Sequence, residues 1–126
     1  MSGGWRILRN AETGEVVLER THWCSSFWCR FRGLQLVRDL PENEGLLFVY
    51  DREGRTNTTI HMLFMFFSIG VLWLDKDGQV VDKKLAKPWR LSYVPDAPAQ
   101  YFVEANTSIL ERVAIGDKLR FDEAAT

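Results

Sequence analysis

The run Ile60–Leu74, IHMLFMFFSIGVLWL, constrains this chain more than any other segment. A window this apolar must leave water, and a bilayer or a protein core can take it in. A helical membrane span needs about 20 apolar residues. This window has fifteen, and His61, Ser68 and Gly70 interrupt it. Its aromatic and β-branched side chains suit strands better than a helix. It is therefore expected to be core, split into two strands bent near Ser68-Ile69-Gly70, because glycine weakens a strand interior.

The remaining chain is that of a water-soluble globule. Of its 126 residues, 46% are hydrophobic and 26% charged, which argues against disorder. That length is expected to form a single domain, 1–126. Sixteen Lys and Arg against 17 Asp and Glu leave a net charge of -1. Neither a basic field for nucleic acid nor a polybasic membrane patch is expected. The start, Met-Ser-Gly-Gly-Trp-Arg-Ile, lacks the pattern of a secretory leader, so a cytoplasmic location is expected. Cys24 and Cys29 make no disulfide framework for a chain this long and are read as reduced, mostly buried thiols.

Local patterns place most elements. Trp5–Arg9 and Glu15–Leu18 flank a turn at 10–14 and read as a hairpin. Trp23, Phe27 and Phe31 recur at helical spacing, predicting an amphipathic helix within Thr21–Arg32 that stops at Gly33. Leu46–Tyr50 reads as a buried strand and the polar Asp51–Thr59 as a surface loop. Val71–Asp75 and Gln79–Leu85 flank Lys76-Asp77-Gly78, a strong hairpin signal. Three prolines in residues 88–98 predict an irregular connection or edge. Gln100–Glu104 and Lys118–Phe121 read as strands, and Ser108-Ile-Leu-Glu111 as a capping box opening a second short helix. About seven to eight short strands and two short helices predict a mainly β fold, either a β-sandwich or a partly open barrel.

No phosphate-binding glycine loop, Gly-x-Ser-x-Gly elbow or His-Glu-x-x-His motif is present. His22, Cys24 and Cys29 carry ligand atoms, and His61, Met62 and Met65 would suit a soft metal. However, only one cysteine pair exists, and on a strand Met62 faces away from His61 and Met65. The methionines read as adaptable core filler, with soft-metal binding through His61 and Met residues as an alternative. His61 has apolar neighbours and is expected to be partly buried with a hydrogen-bond partner. A hydrolase using His61 with Glu44 or Glu104 is a second alternative, although acids at strand ends are usually solvated. Trp89, Arg90 and Tyr93 sit in the Pro-rich segment, and these residue types dominate binding hot spots. They can also simply cover the end of a barrel.

Taken in order, Arg32-Gly33-Leu34, Glu44-Gly45-Leu46-Leu47-Phe48, Ile60-His61-Met62-x-Phe64-Met65, Asp75-x-Asp77-Gly78-x-Val80-Val81, Pro88-Trp89-Arg90, Tyr101-x-x-Glu104 and Gly116-Asp117 resemble the family catalogued as domain of unknown function 192. The likeness covers about residues 5–121. It implies a mainly β, jelly-roll-like sandwich with small helices, and no established reaction, cofactor or substrate. Members are usually small stand-alone bacterial or archaeal proteins, some exported and some not. The chain departs from the family pattern where relatives commonly carry Arg followed by Pro-Ile-Asp or Pro-Leu-Asp. Here those places hold Phe66 and Ser68-Ile69-Gly70.

The resulting expectation is a non-catalytic ligand- or partner-binding accessory domain with no cofactor and no assigned catalytic or metal residue. Its candidate binding residues are His61, Arg55, Trp89, Arg90, Tyr93 and Glu104. Its partner is expected to be a small ligand or a protein, with no nucleic acid and no membrane, and the chain itself a monomer or weak homodimer.

Overall fold

A computed structural model describes residues 4–26, 29, 40–62, 65–90 and 92–123. Among these lie seven strands: β1 (Trp5–Asn10), β2 (Val16–Cys24), β3 (Glu44–Gly54), β4 (Ile69–Leu74), β5 (Val80–Ala86), β6 (Ala99–Ala105) and β7 (Leu119–Glu123). One short helix, α1 (Ile109–Arg112), lies between β6 and β7. The strands form a single open sheet in the order β5-β4-β6-β3-β2-β1-β7. The mainly β expectation holds at that level. Among the described residues the strands make one sheet with two covered faces.

Strand alternation explains those faces. In β4, whose six residues are all buried, Leu72 and Leu74 join Leu8, Leu18, Leu47 and Val103 on one side. Val71 and Trp73 join Phe48, Phe102, Ile60, Met62 and Met65 on the other. A strand buried on both sides has to be apolar throughout, which is what Ile69–Leu74 supplies. The two edge strands are drawn together at one end. Gln79 and Lys118 form an isolated bridge, Val80 N–H donates to the Asp117 carbonyl at 2.8 Å, and Leu119 N–H donates to Gly78 O at 2.9 Å.

Both predicted hairpins are present. The β4–β5 turn is closed by Gly78 N–H on Asp75 O at 3.1 Å and by Asp75 Oδ1, which accepts from Asp77 and Gln79. Other expectations need correction. Asp51–Gly54 extends β3 rather than opening a loop. Among the described residues of 60–68 there is no full strand: Ile60 makes only an isolated bridge with Tyr93. Thr21–Cys24 finishes β2 instead of starting a helix, while 27–28 and 30–39 of the predicted helical stretch lie outside the described residues. Strand propensity and pairing with β3 outweigh the helical spacing there. β2 runs parallel to β3, with Cys24 beside Phe48, so the chain must cross over through residues 25–43. Helix α1 falls where expected, but Ser108 makes no side-chain cap; Asn106 Oδ1 takes the Ser108 N–H at 3.0 Å.

Gly70 is no bend. It lies within β4 because α1 rests on it: a Cβ there would come 2.7 Å from Ile109 Cγ2 and 3.1 Å from Leu110 Cγ. Gly70→Ala is expected to cost about 1–3 kcal/mol by forcing α1 outward, measurable by urea unfolding. No described helix is long and apolar enough to cross a membrane.

Candidate functional site

The segment after the bridge at Ile60 is held by the Pro-rich segment in a short antiparallel ribbon. Ile60 N–H donates to Tyr93 O at 3.0 Å, and Tyr93 N–H returns to Ile60 O at 2.8 Å. Met62 N–H donates to Arg90 O at 2.8 Å, and Trp89 N–H to Met62 O at 2.7 Å. Extended backbone turns alternate side chains to opposite sides. Ile60 and Met62 thus enter the core, and His61 between them is exposed, contrary to the expectation of burial. Met65 is buried beside Met62, so the methionines face inward while His61 faces out. The soft-metal arrangement is not assembled. Among the described residues no group of three or more His, Cys, Asp or Glu could hold a metal ion.

Trp89 is 51% exposed and has φ 67°, a left-handed backbone that a side chain of this size rarely adopts. Its ring meets Phe66, itself 56% exposed, edge to face at 6.4 Å. Arg90 beside it is exposed. Tyr93 supports the ribbon from within the core layer, and its hydroxyl accepts the Lys87 N–H at 2.9 Å. Arg55 donates from Nε to Pro95 O at 2.9 Å, joining the end of β3 to the Pro-rich segment. The sequence supplies no Asp or Glu from Gly54 to Leu74, or from Lys83 to Pro95. The two stretches that carry the exposed rings are thus free of acids and hold Arg55, Lys87 and Arg90.

The remaining candidates lie elsewhere. Glu104 sits mid-sheet in β6, opposite Leu46 on one side and Val71 on the other, and is only 7% exposed. The expected solvated acid is a buried one, and burial pushes its carboxyl up to about 8. Glu44 opens β3 opposite Arg20. Glu104 is buried within the sheet, while His61 is exposed on the ribbon. Hollows of about 320, 330 and 520 Å³ open at Glu19–Arg112, Glu12–Lys118 and Glu42–Ser108, and His61 lines none of them. Cys24 and Cys29, expected as free thiols, are joined in a disulfide. Phe66 was visible in the sequence only as an apolar residue where the family commonly has a basic one.

A profile of the family described as an uncharacterized ACR, domain of unknown function 192, matches residues 8–121. The UPF0127 protein of Thermococcus sibiricus is 38% identical over 118 residues, covering 92% of this chain and 75% of the relative. The UPF0127 protein of Pyrococcus furiosus is 36% identical over 115 residues, covering 90% and 96%. Among solved structures, a Sinorhizobium meliloti 1021 protein provisionally described as a transcription regulator is similar with a TM-score of 0.83 at 20% identity, covering 96% of each chain. A protein of unknown function from Novosphingobium aromaticivorans DSM 12444 reaches 0.79 at 18% identity, covering 92% of this chain and 83% of the other. At such identities these structures establish a shared fold alone.

Proposed function

This chain belongs to the domain of unknown function 192 family, and within it we propose a non-catalytic, partner-binding role for the surface formed by Trp89 and Phe66. The supporting observation is the exposed pair itself: Trp89, in a strained backbone, held against an equally exposed Phe66. Strain of this kind is retained where the surroundings over-determine it, commonly at recognition sites. The basic residues of the two stretches that carry the rings fit a protein segment with an apolar or aromatic side chain flanked by carboxylates. His61 and Arg90 supply hydrogen-bond donors at the rim, while Arg55 and Tyr93 position the ribbon. Glu104 belongs to the sheet rather than to this surface.

A regulator's role, as described for the Sinorhizobium structure, would act here through protein contact, because a net charge of -1 provides no phosphate-binding field. The tie between the edge strands supports reading the sheet as a partly open barrel. The charged β5 edge, with Asp82, Lys83 and Lys84, supports a monomer. In a cytoplasmic setting the Cys24–Cys29 pair would be held mainly reduced.

Fluorescence anisotropy with labelled acidic-aromatic peptides tests the reading, with a basic peptide of equal length as control. Saturable binding that weakens with salt and is lost in Trp89→Ala and Phe66→Ala is expected. Binding unchanged in both variants would remove the site. Folding is not expected to fail in either variant, since exposed substitutions typically change stability by about 0.5 kcal/mol or less. Trp89→Gly, which relieves the left-handed backbone, is expected to be more stable than Trp89→Ala by about 1 kcal/mol in urea unfolding.

A further inference from the structure

The two sulfurs of the Cys24–Cys29 disulfide lie in different surroundings. Cys24 ends β2 opposite Phe48 and is fully buried in the layer that contains Met62, Met65 and Phe102. Cys29 is partly exposed, has helical backbone, and donates its N–H to Ser26 Oγ at 3.2 Å. The disulfide thus joins a partly exposed cysteine, packed at the margin of the apolar layer, to one fully buried within it.

We infer that Cys24–Cys29 is a thiol–disulfide exchange site, opened by a dithiol reductant that attacks Cys29. A thiolate of the reductant bonds to Cys29 Sγ, the Cys24–Cys29 bond breaks, and Cys24 leaves as a thiolate that takes a proton from water. The reductant's second thiolate then attacks its own sulfur in the mixed disulfide, and Cys29 leaves as a thiolate. The protein disulfide has gained two electrons, and the dithiol has lost two to become a disulfide. Burial sets the order, since Cys29 is partly exposed and Cys24 is fully buried. The bond ties the end of β2 to Cys29, five residues further along the chain. This inference stands independently of the Trp89 surface.

The test uses folded wild-type protein exposed to dithiothreitol, to glutathione, or to a protein dithiol of the Cys-x-x-Cys type, followed by acid quench, alkylation and mass mapping. Both dithiols are expected to free two thiols without unfolding, and glutathione to leave a trapped adduct on Cys29. The melting temperature of the reduced protein is expected to fall by roughly 5–10 °C. Faster reduction by the protein dithiol at equal thiol concentration supports a protein carrier, and faster reduction by dithiothreitol supports a small thiol. In single variants, Cys29 in Cys24→Ser is expected to react with a disulfide reagent at least roughly tenfold faster than Cys24 in Cys29→Ser. A wild-type bond that resists every reductant until the chain unfolds, or an adduct on Cys24, would overturn the inference. Equal rates in the two variants would do the same.

Discussion

Glutamine in place of Glu104 is expected to hold stability nearly level between about pH 4 and pH 9, where the wild type loses roughly 4 kcal/mol. The cause is burial. Glu104 lies between Leu46 and Val71 in the middle of the sheet and is only 7% exposed. Ionising it there means stripping a charge of water without compensation, so its pKa rises from 4.5 to about 8. The folded state then binds the proton more tightly than the unfolded state does. The stabilising contribution of the protonated form is complete below pH 4.5 and is lost as pH climbs to about 8. Glu104→Gln mimics the neutral acid, so its stability should match the wild type at low pH and exceed it above pH 8. Urea unfolding across this range checks the slope. A wild type as flat as the variant would show that the carboxyl group is solvated.

Alanine at Gly78 is expected to cost about 2–4 kcal/mol, combining a left-handed backbone with overpacking. Gly78 has φ 87°, and a Cβ there would lie 2.5 Å from the Leu119 carbonyl oxygen. The same glycine accepts the Leu119 N–H through its own carbonyl, one of the bonds that bring the edge strands together. Moving Leu119 to make room would loosen that tie. Gly14→Ala is the control: φ is 79°, but nothing lies within 4 Å of the added carbon. It should lose only about 1–2 kcal/mol. Equal losses in the two variants would mean that the contact with Leu119 contributes nothing.

The sequence was most legible where structure depends on neighbouring residues. Asp77-Gly78 specifies a hairpin through local turn chemistry, and alternation in Val71–Leu74 serves two buried faces at once. It was less legible where partners are distant. The bonds of Ile60 and Met62 go to Tyr93 and Arg90, so an apolar run that reads as strand becomes half of a ribbon completed by the Pro-rich segment. The parallel pairing of β2 with β3 leaves no local signature, and without it Thr21–Cys24 looked helical. Glu104 reads as a solvated strand-end acid until β3 and β4 are seen on both sides of it. At the candidate site, Trp89, Arg90 and Tyr93 could be singled out because proline stiffens their segment. His61 was placed on the wrong side of the surface because apolar neighbours suggest burial, whereas alternation in an extended ribbon turns it outward. Phe66 could not be paired with Trp89, since that contact joins two segments brought together only by folding.

Indole N–H resonances provide the most direct test of the Trp89–Phe66 surface. Trp73 donates its indole N–H to the Thr58 carbonyl at 2.8 Å and is fully buried, so it serves as an internal reference. During titration with an acidic-aromatic peptide, the Trp89 indole signal should shift saturably while the Trp73 signal stays in place, and the peptide should leave Trp89→Ala unaffected. Saturable shifts confined to residues around Arg112 or Lys118, with the Trp89 signal unmoved, would contradict the account.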